Sequence, residues 1–138
     1  MKKVLSIVCL LALVATCLFA FASCGAPNED PAEAKKALED NEYTIMNNIE
    51  LAGVATAYFA ANVVDIETSV GASKGEDSVV IFYFKDEAKA ESAFADFEKA
   101  VENARKLAEG QGKEFNMEYD ISGKMIWIGT PDAISDAK

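Results

Sequence analysis

Four carboxylates stand at alternating positions in two short stretches of the chain. Asp65 and Glu67 lie in VVDIETSV, and Glu118 and Asp120 lie in FNMEYDI. In each stretch the intervening residues are mostly apolar, so each acidic pair shares one face of a predicted strand. Carboxylates gathered this way can hold a hard cation such as calcium, or work as an acid and base pair if one of them is desolvated. Neither spacing matches a metal-loop pattern such as the EF-hand. The spacing favours the plainer reading, in which the four residues form the hydrated side of an antiparallel sheet and keep its edges from pairing. The large aromatics Trp127, Tyr119, Tyr83, Tyr58 and Phe59 either line a ligand surface or fill the core. Trp127 alternates with Ile126 and Ile128, which turns it away from their side of the sheet. With Tyr119, it is the candidate ligand contact.

Other chemistry is excluded by composition. The chain has no histidine. That removes the commonest general base, the serine and cysteine nucleophile systems that depend on it, and every zinc site with an imidazole ligand. The serines and lysines show no paired spacing that activates a nucleophile. No catalytic residue and no cofactor is expected. GASKGED lacks the phosphate-loop spacing and reads as a hairpin loop. The formal net charge is −10, which argues against nucleic acid, a partner that needs clustered Lys and Arg. The mixed charges of KDEAKAESAFADFEKAVENARK read as a solvated helix face.

The N-terminal segment gives an address. Lys2 and Lys3 precede the apolar run VLSIVCLLALVATCLFA, which ends at FASC and gives way to the polar GAPNEDPAEAKK. This layout resembles a bacterial lipoprotein signal. The resemblance implies a cut between Ser23 and Cys24, and a diacylglyceryl group on the Cys24 thiol. Phe21 departs from the aliphatic residue usual three positions before that cysteine. Two other readings stay open: an uncut span over the 19 residues from Val4 to Ala22, and an ordinary signal peptide cut at an A-x-A-like site. Against the span, no Lys or Arg follows for ten residues. All three cysteines, Cys9, Cys17 and Cys24, lie at or before residue 24, so the domain has no internal disulfide. A chain starting at Cys24 has 11 basic and 23 acidic residues, a net charge of −12. The expected organisation is a signal peptide over 1–23, lipidated Cys24 with a tether to residue 30, and one domain over 31–138. The expected place is the outer face of the bacterial cytoplasmic membrane.

The elements that must position the carboxylates and aromatics follow from pattern. Asp30 and Pro31 open a short helix, and EYTIMNN reads as a strand. Residues 49–62 read as a helix that Gly53 and the β-branched residues weaken. VVDIETSV is a half-buried strand with Val64, Ile66, Thr68 and Val70 on one side. SVVIFYF is a central strand covered on both faces, paired with it as a hairpin. From Asp86, the positions Ala90, Phe94, Phe97, Val101, Ala104 and Ala108 make a single helical stripe, with Gly110 or Gly112 as its end. FNMEYDI and MIWIG form a second hairpin around SGK, and Thr130 with Pro131 opens a last helix. The order predicts an α+β fold, a two-layer sandwich with a mostly antiparallel sheet of about five strands, one long amphipathic helix and short flanking helices. DPAEAKKALEDNEYTI, IFYFKDEAKAESAF and GKMIWIGTPDAI together resemble small uncharacterised lipoproteins of Gram-positive bacteria. That resemblance implies fold and address, and no activity.

Three functions fit these observations. The first is a non-catalytic binding or interaction module for an unknown protein or small molecule, anchored to the membrane through Cys24. The second is a carboxylate-based hydrolase or cation-binding domain using Asp65, Glu67, Glu118 and Asp120. The third is a structural subunit that forms a homodimer through an exposed apolar sheet face, Val79, Ile81 and Tyr83.

Overall fold

A computed structural model describes residues 25–46 and 65–138. Cys24, the segment before it, and the helix expected over 49–62 with Tyr58 and Phe59 lie outside the described residues. The elements run α1 (Pro31–Asp40), β1 (Thr44–Met46), β2 (Ile66–Lys74), β3 (Asp77–Phe84), α2 (Glu87–Gly110), β4 (Glu118–Ser122), β5 (Met125–Gly129) and α3 (Pro131–Asp136). The five strands make one antiparallel sheet in the order β1-β2-β3-β5-β4. Both expected hairpins form, and they meet through β3 and β5. The fold is α+β with an open sheet.

The helices start where side-chain oxygens can take up orphan N–H groups. Asp30 accepts from the N–H groups of Ala32 and Glu33, and Asp86 from that of Lys89. Thr130 does not cap α3 in this way. Its hydroxyl accepts instead from the Ser78 N–H, and its own N–H donates to the Ser78 carbonyl, which ties α3 to β3. α2 ends in paired bonds, Gly112 N–H to Glu109 carbonyl and Lys113 N–H to Ala108 carbonyl. These need the left-handed φ of 69° at Gly112.

The sheet separates two cores. On one side α2 lays Ala90, Phe97 and Val101 over Val80, Phe82, Phe84, Ile126 and Ile128. Phe94 is half-buried beside them. Phe97 meets Phe82 and Tyr119 edge-on, with ring centroids 6.3 and 5.9 Å apart. On the other side α1, α3 and Tyr43 cover Val70, Ala72, Val79, Ile81, Tyr83, Met125 and Trp127. The short flanking helices are therefore the cover of the second face. This corrects the expectation of an apolar sheet face open to a second copy. Val79, Ile81 and Tyr83 are buried beneath α1 and α3.

β2 departs from its expected pattern in two places. The register against β3 shifts between Ile66, opposite Phe84, and Thr68, opposite Tyr83. Glu67 is the extra residue of that bulge, and one inserted residue exchanges the two faces of a strand. Ile66 consequently packs on the α2 side, while Val70 and Ala72 pack on the α1 side. The strand also runs on through Gly71, Ala72, Ser73 and Lys74, residues expected in a loop. The turn proper is only Gly75 and Glu76, with φ 61° at Gly75. Small residues are what the site requires, since Ala72 is fully buried within the core that α1 covers.

Candidate functional site

β4 is an edge strand, and its two faces have different neighbours. The turn after it consists of Gly123 and Lys124, with φ 55° at Gly123. A two-residue turn fixes the pairing outward from it. Ser122 stands opposite Met125, Asp120 opposite Trp127, Tyr119 opposite Ile128 and Glu118 opposite Gly129. Tyr119 and Ile121 pack toward α2, where the Tyr119 ring meets both Phe94 and Phe97. Glu118, Asp120 and Ser122 share the other face with Trp127. Trp127 and Tyr119, the two aromatics singled out as ligand contacts, therefore point to opposite sides of the sheet.

On the Trp127 side the chain forms a depression of about 340 Å³. Its wall includes Trp127 and Ile134, the β4 residues Glu118 to Ser122, and Gly25 and Ala26. Trp127 itself is 5% exposed, so only a margin of the indole is open to it. Glu118 and Asp120 are exposed. The arrangement offers two carboxylates beside an apolar wall, a combination that suits a cationic group carried on an apolar stem.

The four carboxylates do not converge. β3 and β5 stand between β2 and β4, so three strand spacings, about 14 Å, separate the two pairs laterally, and the register offsets them further along the strands. Asp65 is paired with the Lys89 ammonium at 3.5 Å, and Glu67 occupies the bulge. Among the described residues no group of three or more Asp, Glu or Cys side chains is placed to hold a metal ion. The shared face of Glu118 and Asp120 follows from their spacing, but the strand order that separates them from Asp65 and Glu67 does not.

The segment expected to be a tether belongs to the domain from Ala26 onward. Ala26 packs against the core under α1 and α3, and Pro27 is buried. The Asn28 N–H donates to the Ala137 carbonyl at 2.9 Å, and the Tyr83 hydroxyl donates to the Asn28 carbonyl at 2.9 Å. The Asn28 side chain accepts from the Asp30 N–H. Burial pushes the Tyr83 hydroxyl well above its usual pKa, and the Asp30 charge adds to the shift. Sequence gives little warning of this docking, because GAPNED has the composition of a free linker.

Among the described residues no helix is long and apolar enough to cross a membrane. No protein family, curated protein or solved structure matches the chain.

Proposed function

We propose that this chain is a binding module attached to the outer face of a membrane by lipid on Cys24, and that it recognises a cationic group in the depression beside Trp127. The observation that carries the reading is the register of β4 on β5. It sets Asp120 opposite the single tryptophan of the chain, with Glu118 two residues along the same face. The acidic balance of the mature chain would draw such a ligand in. The address rests on the FASC box and the two lysines before the apolar run.

The test uses the tryptophan as its own reporter. A tetralysine peptide should shift Trp127 emission in a saturating way, and a tetraglutamate peptide should not. Glu118→Gln with Asp120→Asn should weaken the lysine response at least tenfold, since each charge-assisted contact is worth about 1.5–3 kcal/mol. A response that is absent, or unchanged in the variant, overturns the site. Calcium that saturates in the micromolar range and fails to do so in the same variant would favour a cation site instead.

A further inference from the structure

We propose that the domain sits on its anchor in one orientation, with the β4 edge and the depression beside Trp127 turned to the lipid surface. The proposal rests on lipid attachment at Cys24, and adds to it how the domain stands on that lipid.

The argument is one of reach. A free tether of seven residues would wander over about 15 Å and permit every orientation. This segment is not free. Ala26, Pro27 and Asn28 are fixed by burial and by the bonds from Asn28 to Ala137, just past α3, and from Tyr83 to Asn28. Only Gly25, which is exposed, lies between them and Cys24. Two residue steps span at most about 7 Å in any conformation. Gly25 and Ala26 line the depression together with Glu118 to Ser122, so an anchor two residues before Ala26 tethers the domain from that rim. The β1 edge is four strand spacings away, about 19 Å, and α2 is on the opposite face of the sheet.

The same residues set the depth. The one exposed large hydrophobic among the described residues is Leu107, on α2 and away from this rim. The rim instead carries Glu118 and Asp120, whose charges are too costly to take into hydrocarbon. The domain rests at headgroup level and does not insert. A ligand then enters the depression along the membrane surface.

The experiment uses the full acylated chain in phosphatidylcholine vesicles containing a headgroup spin-labelled lipid. A fluorophore is attached to one introduced cysteine at a time: Glu118→Cys, Ser122→Cys, Thr44→Cys and Ala95→Cys. The first two should be quenched severalfold more than the last two. Inserting about twelve Gly and Ser residues after Cys24 should erase that difference. Equal quenching at all four sites, or the strongest quenching at Thr44 or Ala95, overturns the orientation. Incorporation of labelled fatty acid is measured on the same chain and on Cys24→Ala. Acylation with equal quenching removes only the orientation, whereas no acylation of the parent chain removes the anchor and this proposal with it.

Discussion

Under α2 the sheet is closed by one continuous helix, whose Ala90, Phe97 and Val101 press on five large apolar strand residues. On the opposite face the cover is assembled from α1, α3, Tyr43 and Ala26, pieces separated by about a hundred positions of sequence. The first core depends on large side chains meeting along one stripe. The second mixes large residues, among them Leu38, Ile81, Met125, Trp127 and Ile134, with Ala34, Ala72, Ala133 and Ala137, and adds two buried tyrosines whose hydroxyls tie the pieces together. Tyr43 donates to the Asp136 carboxylate at 3.1 Å, and Tyr83 to the Asn28 carbonyl. One face is thus held mainly by contact area, and the other also needs directed hydrogen bonds to bring its fragments into register.

That contrast can be broken most severely at Phe97. It is 1% exposed, and Phe97→Ala should cost about 3–5 kcal/mol. Phe94→Ala should cost clearly less, because Phe94 is only half-buried. Chemical denaturation followed by Trp127 fluorescence reads both. Equal losses would mean that the stripe is centred one turn away from its position here.

Alkaline pH should act on the other face. Tyr43 is held near pKa 12, first by burial, then by its hydrogen bond to Asp136 and by the acidic groups around it. A raised folded pKa favours the neutral form. Its contribution is therefore complete below pH 10 and is lost as pH rises from there toward about 12. Tyr83 shifts in the same direction. The difference in stability between the parent chain and Tyr43→Phe with Tyr83→Phe should narrow across this window, by on the order of 2 kcal/mol for Tyr43 alone. A constant difference would show that the hydroxyls do not titrate through the fold.

The smallest effect sharpens the comparison. Tyr83→Phe at neutral pH removes one hydroxyl and keeps the ring, so global stability should fall by only about 1 kcal/mol. Hydrogen exchange at the Asn28 amide should nonetheless rise well beyond that of α2 amides, because the clamp on residues 26–28 is loosened locally. Uniform acceleration across both faces would deny the clamp its local role.

The two faces also differ in how far the sequence reveals them. The α2 stripe is legible because spacings of 4, 3, 4, 3, 4 are intrinsic to a helix and need no partner. The opposite core is not, since GAPNED reads as linker and GASK as turn, and only tertiary contact makes them buried segment and strand. The bulge at Glu67 is equally silent, because one inserted residue leaves the apolar alternation of VVDIETSV looking intact. The candidate site is half legible. The two-residue turn at Gly123 and Lys124 is enough to set Asp120 opposite Trp127 and to put Tyr119 on the far side. The separation of Asp65 and Glu67 from Glu118 and Asp120 depends on β3 and β5 being neighbours, which no local pattern encodes.

The pairing outward from that same turn also leaves the N–H groups of Tyr119 and Ile121 pointing away from β5, along the free edge of the sheet. The Asp120 carboxylate folds back to accept the Ile121 N–H at 2.8 Å. An edge strand is a template for a neighbouring strand. Asp120 occupies one of the two donors such a neighbour would need and brings a negative charge to meet its own copy. The open edge of this sheet therefore carries its own check against pairing with a second copy, supplied by one side chain.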